Sequence, residues 1–145
     1  MQNNLGRWTH AILRLGTGIL FVEHGLQKLF GLFGGIPGGT PALASQLGVA
    51  GMLETVGGAL LILGLMTQPV AMILAVEMIM AFAIAHAPQG GWPIQNQGEL
   101  ALLYAAIFAF LAGNGAGPFS LDAVLSAHRV VNRRARQDRR QAIAA

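Results

Sequence analysis

The chain has 145 residues, of which 54% are apolar and only 10% are Asp, Glu, Lys or Arg, against about 25% charged residues in ordinary soluble domains. So few charges cannot cover a soluble surface, and the net charge of +3 is concentrated, with six of the nine basic residues being arginines between Arg129 and Arg140. A basic tail beside an apolar body reads as a topology and lipid-headgroup signal and not as a nucleic-acid surface, while the lack of cysteine excludes disulfides, thiolate metal sites and Cys-based redox relays.

The first apolar segment runs from about 8 to 26. Arg14 interrupts it and no small-x-small pattern follows, so it reads as a retained helix and not as a cleaved signal. Gly34, Gly35, Pro37, Gly38, Gly39 and Pro41 then forbid a regular helix. The second segment, 47–66, carries Gly48, Gly51, Thr55 and Gly58 at three- and four-residue steps, a stripe that lets another helix approach closely. Thr67-Gln68-Pro69 is a tight turn, and Pro69 suits the first turn of a third helix over 70–87. A loop with Trp92 at an interfacial position leads to the fourth segment, 97–114, which is short against the ~20 residues a span needs.

These elements predict an all-α integral membrane protein. Residues 1–118 form a four-helix bundle, and 119–145 form a basic segment. Two readings stay open for it, a partly disordered tail or an interfacial helix that Ser120 can cap, with Asp122 in its first turn and Leu121, Val124, Leu125 and Val131 along one stripe. After four crossings Arg7 lies on the same side as the arginine tail, so the positive-inside rule puts both termini in the cytoplasm.

Ionisable residues inside a membrane are costly and need a partner or a task. Counted at ~1.5 Å per residue, Arg14 lies roughly 9 Å and Glu77 roughly 12 Å from the inner side. Equal depth and opposite sign predict an Arg14–Glu77 ion pair. A second group gathers toward the outer side, with His24 and His86 at roughly 24–26 Å on the same rise and Glu54, Glu23 and Glu99 near them. Three readings stay open for it. The histidines could sit at the membrane boundary on loop carbonyls, or the group could form a protonatable ligand or quinone site. The third reading is a metal site, with His24, His86 and Glu54 the candidates, although the Glu-x-x-His signature of di-iron bundles is missing. Lys28 reads as an interface charge, and Glu99 as a cap of the fourth helix.

Arg14-Leu15-Gly16 and Glu23-His24-Gly25-Leu26-Gln27-Lys28-Leu29-Phe30-Gly31 resemble the opening of the DoxX family. Glu54-Thr55-Val56-Gly57-Gly58, Leu63-Gly64-Leu65-Met66-Thr67, His86, Glu99, Gly117-Pro118 and Ser120-Leu121-Asp122 extend the resemblance over nearly the whole chain. It implies a multi-pass protein of a bacterial or archaeal plasma (inner) membrane. It also implies a membrane subunit of a quinone-linked oxidoreductase, as in thiosulfate:quinone oxidoreductase, or of a redox or oxidative-stress complex. Quinone is the cofactor so implied. No covalent cofactor signature is present, so a protein partner would carry the electrons. The alternative is a non-catalytic scaffold or assembly factor. A small proton-coupled transporter ranks third, since no internal repeat is visible. The expected partners are anionic headgroups at the Arg129–Arg140 tail and a second protein or a second copy of the chain, with no nucleic acid.

Overall fold

In the computed structural model residues 4–144 are described, and they contain helices but no strand. Helix α1 spans Asn4–Phe30, α2 Gln46–Leu63, α3 Thr67–Ala81, α4 Glu99–Asn114 and α5 Leu121–Ala144. Helix α3 does not stop at Ala81. It widens into a π turn over Phe82–His86 and then tightens into a 3-10 turn over Ala87–Gln89. The side chains of Val131, Arg134, Arg136 and Arg139, part of the expected stripe and arginine tail, lie outside the described residues.

Two stretches, Gln46–Leu63 and Thr67–Gln89, are long and apolar enough to cross a membrane. Helix α4 has 16 residues, which at 1.5 Å each is about 24 Å against a hydrocarbon core of ~30 Å. Helix α1 is long enough at 27 residues but is diluted by Arg7, Arg14, Glu23 and Lys28. The helix exteriors are apolar. Ile12, Ile19, Val56, Ile73, Val76, Ile79 and Leu103 are all exposed, an inside-out pattern that water disfavours and lipid tolerates.

Helix α1 lies antiparallel along α2, and small residues set the spacing. A Cβ added at Gly18 would meet the Gly58 carbonyl oxygen at 2.9 Å, and one at Gly25 would meet the Gly51 oxygen at 2.7 Å and the Thr55 nitrogen at 2.6 Å. Gly51, Thr55 and Gly58 of the α2 stripe therefore face α1, as their spacing predicts, while Gly48 packs on the Ala42 and Leu43 backbone before α2. Helices α3 and α4 form a second antiparallel pair, with Gln68 Nε2 donating to the Ala112 carbonyl at 3.2 Å. Phe21 of α1 reaches across to Tyr104 and Phe108 of α4, with ring centroids 5.2 and 4.7 Å away. Leu61, Leu74 and Leu111 close the core around them.

The expected Arg14–Glu77 ion pair is not formed. Arg14 is 1% exposed, and its guanidinium donates only to backbone carbonyls. Nε bonds Ala116 at 3.1 Å, Nη2 bonds Phe119 at 2.6 Å, and Nη1 bonds Ile62 at 2.8 Å and also Leu61. The physical reason lies at the end of α2. Gly64 leaves the helix in the left-handed region (φ 63°), which frees the last carbonyls of α2, and a helix C-terminus attracts a cation. Five donors in a fixed fork suit several carbonyls better than one carboxylate.

The same corner is tied from the other side. Ser120 caps α5, accepting from the Ala123 nitrogen at 3.2 Å. Asp122, expected only in the first turn of its own helix, accepts from the Met66 and Thr67 nitrogens at 2.8 and 2.9 Å and so caps α3. Met66 sits at φ 51°, a strained value for a side chain of its size, held by that carboxylate.

Candidate functional site

The C-terminal half of α1, the N-terminal half of α2, the α3 extension and the N-terminal half of α4 surround a cavity of about 240 Å³. His24 and Lys28 enter from α1, Glu54 from α2, His86 from the π turn, Gln97 from the following loop and Tyr104 from α4. Phe21, Met78, Ala81, Leu100 and Ala101 supply apolar walls. Of the five site residues expected from the sequence, His24, Glu54 and His86 meet here. Glu23 and Glu99 do not, and both are exposed. Glu23 lines a second, open pocket with Leu20, Gln27 and Phe33, and His24 borders both that pocket and the cavity.

Lys28 is not an interface charge. Its ammonium donates to Glu54 Oε1 in the salt bridge present among the described residues, and the flexible stem bends it inward. Glu54 is 2% exposed, so the pair lies in a medium where removing either partner leaves an uncompensated charge.

His86 is positioned with more care than its place at a helix end suggests. Its Nδ1 lies 2.9 Å from the Asn96 carbonyl oxygen. A carbonyl can only accept, so Nδ1 carries the hydrogen, and in the neutral ring Nε2 is left as an acceptor. Asn96 is itself 2% exposed. Its side chain donates to the Gly90 carbonyl at 2.8 Å and accepts from the Gly98 nitrogen at 2.9 Å. The next residue, Gln97, is held at φ 58°, a conformation in which only a small minority of non-glycine residues are found. His24 lacks such an anchor and instead meets Tyr104 edge-on, with centroids 5.9 Å apart.

Among the described residues no three His, Asp or Glu side chains come together closely enough to hold a metal ion. The cavity offers donors and exchangeable protons along an apolar slot. The sequence reading misses Lys28, Asn96, Gln97 and Tyr104. Only the polar Asn96-Gln97 pair just before α4 gave any signal there. Glu77, freed from Arg14, lines a second cavity between α2 and α3.

The sequence model of the DoxX family matches residues 9–87. An uncharacterized protein of Haemophilus influenzae is 41% identical over 128 residues, covering 83% of this chain and 96% of that protein. An uncharacterized membrane protein of Mycobacterium tuberculosis is 29% identical over 131 residues, covering 79% of each. No solved structure matches.

Proposed function

The chain belongs to the DoxX family of membrane proteins, and we propose that it is the quinone-binding membrane subunit of a partnered oxidoreductase or oxidative-stress complex. The observation that supports this reading most is the convergence of His24, Lys28, Glu54, His86, Gln97 and Tyr104 on one apolar-walled cavity.

The donor set fits a quinone head, which is a flat apolar ring with two carbonyl oxygens that need hydrogen bonds. When bound, such a head supplies a reversible two-electron, two-proton couple, and the electrons come from the partner. The chain's own residues bind and manage protons. Lys28 and the Gln97 amide donate toward an oxygen, while Phe21 and Tyr104 pack against a ring face. His86, fixed through Nδ1, exchanges a proton at Nε2, and Glu54 keeps the Lys28 ammonium in place. The apolar walls exclude bulk water and so strengthen each of these interactions.

In this reading α1 to α4 form a four-helix bundle crossing the bacterial inner membrane. Both termini are cytoplasmic, and the arginines of α5 lie on anionic inner-leaflet headgroups. Because the chain has no cysteine, single replacements report topology cleanly. With Ser126→Cys, an impermeant thiol reagent should label inside-out vesicles only. With Gln89→Cys it should label intact cells. The same labelling side for both variants removes the even number of spans.

Function is tested by titrating the purified protein in nanodiscs with a short-chain quinone while following thermal unfolding. Stabilisation of the wild type is expected, and His86→Ala and Lys28→Met should each weaken binding about tenfold, the loss of one good hydrogen bond. No bound quinone and no stabilisation at any concentration sinks the reading and leaves the scaffold alternative.

A further inference from the structure

The second cavity, about 370 Å³, lies between α2 and α3 and shares Lys28, Glu54, Met78 and Ala81 with the first. The Lys28–Glu54 pair thus forms the wall between them. The rest of its lining is almost wholly aliphatic, and several of those residues, among them Leu53, Ile73, Val76 and Met80, are exposed on the outer surface of the helices. The cavity therefore opens sideways between the exposed faces of α2 and α3, with Gln46 at the loop end of its lining.

At its base are three oxygen atoms that are screened from solvent and without a hydrogen-bond partner among the described residues. They are both carboxylate oxygens of Glu77 and Oε2 of Glu54. Glu54 is 2% exposed and spends only Oε1 on Lys28. Buried polar groups are almost always satisfied, and those that are not call for an explanation. In a hydrocarbon setting water is the least available answer. Formal charge points the same way. Two acids and one base line this cavity, which carries one net negative charge when all three are ionised. An occupant that matches it is cationic, donates N–H bonds to more than one acceptor, and carries an apolar body to fill an aliphatic slot.

We propose that this cavity is a binding site for an amphipathic primary ammonium compound, which enters from the bilayer and places its head between Glu77 and Glu54. The site is separate from the quinone cavity and does not depend on that reading. Because the two cavities share one wall, an ammonium on Glu54 Oε2 competes with Lys28 for the same carboxylate and thereby touches the first site.

Four eight-carbon probes separate the elements of recognition. Octylammonium has charge and N–H donors. Octyltrimethylammonium has charge alone, octanol a donor alone, and octanoate the wrong charge. Binding to the full-length protein in nanodiscs of zwitterionic lipid is measured by calorimetry. Octylammonium should bind at least about tenfold more tightly than each of the others, as charge-assisted hydrogen bonds are the strong ones. Glu77→Gln should abolish that preference. It removes an unsatisfied carboxylate, so its unfolding temperature should not fall. Ile73→Trp, which fills the slot and leaves both acids intact, should block octylammonium as well, while quinone stabilisation persists in both variants. Equal affinity for octylammonium and octanol overturns the proposal, as does unchanged octylammonium binding in Glu77→Gln.

Discussion

Arg14 shows how far a single buried charge can act through backbone carbonyls. Its guanidinium satisfies carbonyls from α2 and from the segment before α5, and a Cβ at Gly64 would stand 2.9 Å from its Nη1. Arg14→Met removes the donors and leaves the Ile62, Ala116 and Phe119 carbonyls bare, the Leu61 carbonyl keeping the Gly64 N–H, which should destabilise the protein by about 3–5 kcal/mol. Arg14→Lys should recover less than half of this, because an ammonium lacks the fork. Adding Glu77→Ala to Arg14→Ala should restore nothing, as the two side chains are not partners. Steric-trapping or denaturant unfolding in detergent measures each value, and rescue in the double variant would restore the ion pair predicted from depth.

That correction marks where residue-level reading ends. Depth counted from Cα positions finds charges at equal heights but cannot see carbonyls released by a left-handed glycine three residues beyond Leu61. It also cannot see how far a lysine stem bends. Lys28 sits one turn beyond His24 on α1, yet its ammonium reaches Glu54 on the neighbouring helix. Asn96 and Gln97 were visible only as a polar pair before α4, since their roles rest on a loop conformation that no periodicity encodes.

At the scale of elements the sequence was far more legible. The positions of α1 to α4 follow from apolar run length, and their ends from glycine and proline. The stripe Gly48, Gly51, Thr55, Gly58 predicted a close helix contact, and α1 supplies it. Without a hydrophobic driving force between helices in lipid, such packing is what holds a pair together. Gly25→Val puts its branched side chain into the backbone of α2 at Gly51 and Thr55. It should abolish the α1–α2 contact, with unfolding at temperatures where the wild type is intact. Gly16→Val, where a Cβ meets nothing within 4 Å, should be neutral or stabilising by ~0.5 kcal/mol or less, because valine is the better helix former of the two. Circular dichroism melts of the two variants in the same detergent settle it, and equal losses would mean that α1 packs elsewhere. What periodicity could not supply at this scale is the π turn at Phe82–His86. Reading 100° per residue assumes that the helix stays regular, and π turns are frequent at functional sites because they re-aim a side chain. Here that side chain is His86.

The whole molecule joins a hydrogen-bonded corner at one end to a polar half at the other. Arg14, Gly64 and Asp122 lock the turn between α2 and α3, while two cavities flank one buried ion pair toward the opposite end. This division explains why an apolar protein keeps six Arg, Lys and Glu side chains within or beside its first four helices beyond Arg7. Arg14 holds the framework together, Glu23 and Glu99 lie exposed at its margin, and Lys28, Glu54 and Glu77 line the spaces where ligands fit. The most direct check of the central claim is photolabelling of the full-length protein in nanodiscs with an azidoquinone, followed by peptide mass spectrometry. Label is expected on the α1 segment around His24 and on Met78, Leu100 or Tyr104, and it should be displaced by excess unlabelled quinone. Label confined to lipid-facing residues such as Ile12 and Leu103, unaffected by competitor, would contradict the account.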